Sequence, residues 1–290
     1  MGKSREIKTR IKAVKNIQRI TRTMQMIATS KFSKAQQAAT SSKPYTEGLF
    51  DLVAQLATAA GDIEHPLLET ASASKPELTL VIASDRGLCG PYNGNIIRTA
   101  LTHINASEAA KAGSVEVVGK KGLTPLRFNG IDVAEHHTQF GDKPKYEDVD
   151  ALAERYMSMF AAGEISAVRV VSMKYISAGK QTPVVTQVLP FESDSIVGDG
   201  PAGPTPAYEF TPDAEELLGS LLPAAVKAVL FQIFNDAIVS EHVGRMIAMK
   251  AATDNATSMG KALKTKFNRA RQGQITTELT EIISGAAALE

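Results

Sequence analysis

The 290-residue sequence lacks the residues that mark disulfide-bonded and zinc-binding proteins, because it contains one cysteine and no tryptophan. A single cysteine excludes a disulfide within the chain and a cysteine-rich zinc site. No stretch free of charged residues exceeds about eleven residues, whereas a membrane helix needs roughly twenty. The apolar residues near the N-terminus are interleaved with Lys and Arg, unlike those of a secretory signal peptide. We therefore expect no direct membrane insertion, and a bacterial cytosolic or organelle-matrix setting.

Sequence motifs for nucleotide binding and catalysis are also missing. Residues 113–121 come closest to a P-loop, but they place one residue too many between the glycines and lack the Ser or Thr that binds magnesium. No G-x-G-x-x-G follows the first predicted strand. Cys89 has no nucleophile context, and His136 and His137, without a carboxylate at ligand spacing, are predicted to be a surface pair. We predict no catalytic residue, no cofactor and no metal site.

The net charge of +1 conceals an uneven distribution of charged residues. Residues 1–43 carry +10, residues 44–241 carry −12 and residues 242–277 carry +6. Either the two basic ends bind an anionic partner, or they are the solvated faces of long helices. Nucleic acid is disfavoured as the partner, because residues 1–43 contain one aromatic residue, Phe32, and so offer no platform for base stacking.

Both ends of the chain have the spacing of long amphipathic helices. The N-terminal stripe contains Val14, Ile17, Thr21, Met24 and Ala28, and it is widened by Ile20 and Ile27. A helix continuing to about residue 60 would be on the order of 85 Å long. The C-terminal stripe follows the same 3-4 spacing from residue 246 to residue 270, shifts near Gly273 and resumes at Ile275. The pattern predicts two long helices that pair antiparallel through these stripes.

The middle of the chain alternates between predicted strands and helices. Residues 78–84, 114–118, 167–172 and 182–188 have the pattern of strands, and residues 95–110 and 146–162 that of helices. The predicted fold is therefore α/β: a Rossmann-like domain over residues 75–192, inserted between helices over 1–60 and 213–290. Residues 193–212 are rich in Pro and Gly and are predicted to be a linker. The loop Ser84–Gly90 follows the first strand, where α/β enzymes place ligands, but a structural turn is favoured there.

Three segments together resemble the gamma-subunit family of F-type ATP synthases. They are residues 7–31, residues 84–90 followed by Asn93, and residues 240–255 together with 275–288. The last stretch matches the specific family signature I-T-x-E-x-x-E-x-x-x-G-A. The resemblance covers the whole chain in the family's order.

The resemblance implies a non-catalytic rotor subunit at the cytoplasmic face of the bacterial inner membrane. Its helix pair would be the shaft inside a ring of three alpha and three beta subunits, and its α/β domain would be the foot on the membrane c-subunit ring beside epsilon. The alternative is an α/β nucleotide-binding enzyme with helical oligomerisation arms. The resemblance implies ring contacts by Met24, Arg245, Arg271, Gln272, Thr276 and Glu278, an apolar bearing tip at Ile282, Ile283, Ala286 and Leu289, and epsilon-side contacts by Tyr208 and Glu209.

Overall fold

The structure, a computed structural model, describes residues 2–60, 65–68, 75–191 and 214–287. It divides into two compact units, one formed by Met1–Thr29 with Arg245–Glu290 and the other by Ser30–Gly244. Helices α1 (Gly2–Ala60) and α6 (Ala214–Ala287) contribute residues to both units. The predicted linker at 193–212, together with Tyr208, Glu209 and Leu289, lies outside the described residues.

The Ser30–Gly244 unit contains a five-stranded mixed sheet. Its strands are β1 (Glu77–Ile82), β2 (Ser114–Val118), β3 (Val133–His137), β4 (Ala167–Ser177) and β5 (Lys180–Leu189). They lie in the order β3-β2-β1-β4-β5. The four strands β3, β2, β1 and β4 are parallel, and β5 pairs antiparallel with β4. Between the strands run α2 (Tyr92–Ala106), α3 (Glu108–Lys111), α4 (Lys120–Phe128) and α5 (Tyr146–Ala161).

Helices cover both faces of this sheet, as a parallel sheet requires. Because side chains alternate along a strand, Leu80 of β1 packs in a core shared with α1, α5 and α6, whereas its neighbour Val81 packs in a core shared with α2 and α4. Both side chains are fully buried. The α/β fold class with two long terminal helices is therefore confirmed.

Two elements were absent from the prediction, and both have weak sequence signals. Strand β3 lies at the edge of the sheet and contains Glu135, His136 and His137, so it lacks an apolar run. Helix α4 spans 9 residues and contains Gly122 and Pro125, which have poor helix propensity. Packing against the sheet, rather than local preference, accounts for both elements.

One described helix contains a stretch with the length and composition of a membrane span. An 18-residue window within Glu216–Ala287 has a mean hydropathy of 1.8, and 44% of that window is buried inside the protein. Leu218, Leu222 and Leu230 of this helix are fully buried in the core of the Ser30–Gly244 unit. Burial in a protein core accounts for the apolar character of these three residues.

Candidate functional site

The unit formed by Met1–Thr29 and Arg245–Glu290 is an antiparallel pair of helices. Three side-chain hydrogen bonds fix its register: Ser4 Oγ donates to Gln274 Oε1 (3.0 Å), Gln18 Nε2 to Thr257 Oγ1 (2.7 Å) and Thr253 Oγ1 to Thr21 Oγ1 (2.8 Å). As residue numbers rise on one helix, their partners fall on the other. The predicted antiparallel pairing is therefore confirmed.

The buried face of the N-terminal helix is narrower than its apolar residues suggested. Thr21 and Ala28 are buried as predicted, but Ile17, Ile20 and Ile27 are 52%, 54% and 52% exposed. These three residues were predicted to lie in the contact surface between the two helices, which we call the seam, and that prediction is wrong. The seam instead includes Gln18, whose amide hydrogen-bonds across it. The predicted stripe is therefore right at Thr21 and Ala28, and at Ile17 its place is taken by the neighbouring Gln18.

The C-terminal end of α6 presents an apolar surface, which we call the tip (Ile275, Leu279, Ile282, Ile283 and Ala286). Its four large side chains are between 56% and 69% exposed. The first described residue of α1 is Gly2, and Ser4 reaches Gln274, so the tip from Leu279 onwards lies beyond the described residues of α1. This position explains why the shifted stripe after Gly273 does not join the seam.

Four predicted contact residues form a polar surface next to the tip. Arg271, Gln272, Thr276 and Glu278 are all exposed. Thr276 Oγ1 donates to the Gln272 carbonyl oxygen (3.0 Å), and Gln274 Nε2 donates to Glu278 Oε1 (2.8 Å). Both bonds lie within α6, and the side chains of Arg271 and Gln272 remain exposed in this chain.

Met24 and Arg245 lie at the opposite end of the same helix pair. Thr21 is level with Thr253, which places Met24 near Lys250, about one turn from Arg245. Met24 is partly buried, and Arg245 is 9% exposed. The structure thus separates the predicted contact residues into two groups, one at each end of this unit.

The Ser30–Gly244 unit has little space where α/β enzymes bind their ligands, at the carboxyl ends of the parallel strands. Ala83 after β1 and Gly119 after β2 face Phe234, Ala237 and Ile238 of α6 across a cavity of about 20 Å³. That volume accommodates about one water molecule. The protein's own helix therefore occupies the crevice that a nucleotide would need.

A buried polar cluster lies at the β2–β3 side of the sheet. Glu116 accepts hydrogen bonds from Tyr156 Oη (2.7 Å) and Arg155 Nη2 (2.5 Å), and its carboxylate lies 2.8 Å from His137 Nε2. Burial raises the pKa of Glu116, but the hydrogen bonds from His137 and Tyr156 and the charge of Arg155 outweigh it, so the pKa is lowered. His137 is 3% exposed, so its predicted surface location is wrong.

Glu116, Glu135 and His137 place potential ligand atoms within 4.8 Å of one another, a grouping that could hold a metal ion. Arg155, however, forms ion pairs with both carboxylates. Its guanidinium supplies the positive charge that a metal ion would bring. We therefore interpret the cluster as a structural network. One sequence feature could have indicated this cluster, namely a glutamate, Glu116, within the apolar strand β2.

The chain matches one protein family over nearly its whole length. The family model described as ATP synthase covers residues 3–289. An ATP synthase gamma chain of Rhodopirellula baltica is 44% identical over 100% of both chains, and one of Leptospira biflexa is 38% identical over 100% of both. This chain belongs to the ATP synthase gamma-chain family. The resemblance found in the sequence is thereby confirmed.

Solved structures with a similar fold include chains of the Euglena gracilis mitochondrial ATP synthase. A chain from its OSCP/F1/c-ring assembly in rotational state 3 has a TM-score of 0.68 at 18% identity and covers 99% of this chain and 95% of its own. A chain from its rotor in rotational state 1 has a TM-score of 0.65 at 16% identity, with coverages of 94% and 99%. At this identity the likeness supports the fold, and the family assignment rests on the curated relatives.

Proposed function

We propose that this chain is the central-stalk rotor subunit of an F-type ATP synthase, coupling rotation of a membrane ring to ATP synthesis and hydrolysis. The observation that carries the proposal is the helix pair with its exposed apolar tip, in a chain that matches gamma chains from end to end. The Euglena neighbours are described as a rotor and as an F1/c-ring assembly. The proposed partners are three alpha and three beta subunits, epsilon and the c-subunit ring.

In this proposal the helix pair acts as an asymmetric shaft. Its orientation favours one conformation of each beta subunit over the others, so that turning the shaft drives the subunits through binding, synthesis and release. The exposed apolar side chains of the tip make no directional bonds, and they can slide within a sleeve without one fixed register. The predicted bearing consists of Ile282, Ile283 and Ala286 of the tip together with Leu289, which lies outside the described residues.

Polar groups on the shaft would make the contacts that depend on its orientation. Arg271 and Gln272 would hydrogen-bond to the ring's inner loops, with Thr276 and Glu278 beside them. At the other end of the helix pair, Met24 and Arg245 would meet the acidic loop of the beta subunits. The predicted foot at residues 75–192 would rest on the c-subunit ring, and Tyr208 and Glu209 would lie towards epsilon.

We further propose that the chain itself is non-catalytic and peripheral, at the cytoplasmic face of a bacterial inner membrane. The filled crevice at the strand ends supports this, because a nucleotide needs several hundred cubic ångströms of cavity, and about 20 Å³ lies between Gly119 and α6. The same observation counts against the alternative of an α/β nucleotide-binding enzyme.

The double variant Arg271→Ala/Gln272→Ala tests the proposed ring contact. We expect it to reduce ATP synthesis by membrane vesicles at least tenfold, because a hydrogen bond made by a charged group such as the Arg271 guanidinium contributes about 1.5–3 kcal/mol and about 1.4 kcal/mol corresponds to a factor of ten. Both side chains are exposed in this chain, so folding should be unaffected. The measurements are the rates of ATP synthesis and hydrolysis, with the amount of assembled complex quantified in the same vesicles.

A matched control is Lys264→Ala/Thr265→Ala, which removes one positive charge and one polar side chain from exposed positions of the same helix. We expect this control to retain more activity than the double variant. Unchanged synthesis, hydrolysis and assembly in the Arg271/Gln272 variant would refute the contact.

A further inference from the structure

A cleft of about 340 Å³ lies within the Ser30–Gly244 unit, between α1, the segment that precedes α5, and α6. Its volume is within the range of about 300–1,000 Å³ that is typical of small-molecule sites. Most of its wall is apolar, with contributions from Ala38, Pro144, Phe231 and Ile238. Its charged and polar lining residues are Lys31, Lys34, Asp142, Lys143, Asn235 and His242.

The cleft carries an excess of positive charge. Asp142 is the one carboxylate among its described lining residues, and its Oδ2 already lies 2.5 Å from Lys31 Nζ and 3.8 Å from Arg86 Nη1. Lys34 and Lys143 are exposed, and they make no ion pair with any described residue. An anionic ligand would therefore meet two lysines whose charge is not neutralised by a described carboxylate.

A buried side chain in the wall of the cleft lacks a hydrogen-bond acceptor. Asn235 is 8% exposed, and its Nδ2 has no hydrogen-bond partner among the described residues. A buried N–H group without an acceptor is unfavourable, because nothing replaces the hydrogen bonds that it would make with water. An acceptor atom of a ligand in the cleft would satisfy this amide. The observation is independent of the lysine charges, and it points to the same kind of ligand.

The apolar wall determines which kind of anion the cleft favours. Inorganic phosphate or an acidic peptide could use the lysines, but either would leave apolar side chains such as Phe231 and Ile238 without an apolar partner. A carboxylate on an alkyl chain uses both parts of the cleft. Its oxygens accept hydrogen bonds from the lysines and the amide, and burial of its methylene groups against the apolar wall is favourable.

We propose that this cleft binds a medium-chain alkyl carboxylate, with its carboxylate at Lys34, Lys143 and Asn235 and its alkyl chain along the apolar wall. All of the lining residues belong to the Ser30–Gly244 unit. The proposed ring contacts belong to the other unit, so the proposal can be tested on the chain whether or not the chain acts as a rotor.

The test is titration of the purified full-length chain with sodium octanoate at pH 7, followed by calorimetry or by NMR of the ligand. Three related ligands separate the contributions: acetate lacks the alkyl chain, 1-octanol lacks the charge, and octylamine carries the opposite charge. We expect octanoate to bind at least tenfold more tightly than each of the three.

Lys34→Gln/Lys143→Gln changes two exposed positions, so it should fold, and it should weaken octanoate binding at least tenfold. Lys120→Gln/Lys180→Gln is the matched control, because it also removes two exposed positive charges from the same unit but from positions outside the lining of the cleft. We expect the control to bind octanoate as the wild type does. Circular dichroism verifies the folding of each variant.

Asn235→Asp keeps the shape of the side chain but replaces the donor amide with a carboxylate, and it should abolish octanoate binding. If this variant fails to fold, Ala38→Phe, at an exposed position of the cleft, narrows the cleft without changing a charge and should weaken binding at least tenfold.

The proposal is overturned if octanoate does not bind, if acetate or octanol binds equally well, or if a folded Lys34/Lys143 variant binds octanoate as the wild type does. Tighter binding of a tetraglutamate peptide than of octanoate would identify an acidic protein segment as the occupant, and it would overturn the proposal as well.

Discussion

Glu116→Ala is expected to lower the free energy of unfolding of this protein by about 3–5 kcal/mol at pH 7. The Glu116 side chain is 5% exposed and takes part in hydrogen bonds with Tyr156, Arg155 and His137. Its removal leaves the fully buried Tyr156 hydroxyl without its acceptor and Arg155 without one of its two carboxylates. Urea unfolding followed by circular dichroism measures the change.

The pH dependence of the Glu116→Ala effect provides an internal check. Because the pKa of Glu116 is lowered in the folded protein, its charge stabilises the fold above the ordinary value of 4.5, and this stabilisation is lost as the pH falls through the folded-state pKa. The difference between variant and wild type should therefore shrink under acid conditions. Tyr156→Phe, which removes one hydrogen bond, should cost about 1–2 kcal/mol. A loss below 1 kcal/mol in Glu116→Ala at pH 7 would show that the cluster contributes little.

Gly119→Ala is expected to lower the free energy of unfolding by at least about 4 kcal/mol. Gly119 has φ +85°, a conformation that costs other residues about 1–3 kcal/mol. A Cβ atom there would also lie 2.3 Å from the Ala83 carbonyl oxygen. The opposing atom belongs to the backbone after β1, so the clash can be relieved only by moving the sheet or α4, at a cost typical of the largest single substitutions.

Gly130→Ala is a control for this substitution that is matched in φ. Gly130 has φ +79°, close to that of Gly119, but nothing lies within 4 Å of a Cβ atom built there. Gly130→Ala should therefore lower the free energy of unfolding only by the cost of the backbone conformation, about 1–2 kcal/mol. Urea unfolding of both variants separates the two contributions. Equal losses in the two variants would show that the contact with Ala83 is relieved at little cost.

The sequence was most informative where one physical signal dominates. A 3-4 spacing of apolar and small residues identified both long helices, and short apolar runs identified four of the five described strands. The fifth, β3, is polar because it lies at the sheet edge, and its existence depends on pairing with β2. The seam of the helix pair was placed wrongly at Ile17, Ile20 and Ile27, because hydrogen bonds through Gln18 and Thr21 offset the loss of apolar contact.

The candidate sites also differ in how far the sequence could predict them. The ring contacts at Arg271 and Gln272 and the bearing at Ile282, Ile283, Ala286 and Leu289 could be predicted because the family resemblance lies in consecutive residues, which a sequence displays directly. The filling of the crevice beside Gly119 was not predicted, because its walls come from β1, β2 and α6, which are distant in the chain. The burial of His137 against Glu116 was missed for the same reason, since the two residues meet through strand pairing.

The most direct test of the central claim is to observe this chain turning. Cys89 is 1% exposed, so Glu108→Cys, at an exposed position on α3, provides a selective attachment point for a bead. The variant chain is assembled with alpha and beta subunits fixed to a surface, and ATP is added. We expect continuous rotation of the bead in one direction, and no ATP hydrolysis by the purified chain alone. A stationary bead on complexes that hydrolyse ATP would contradict it.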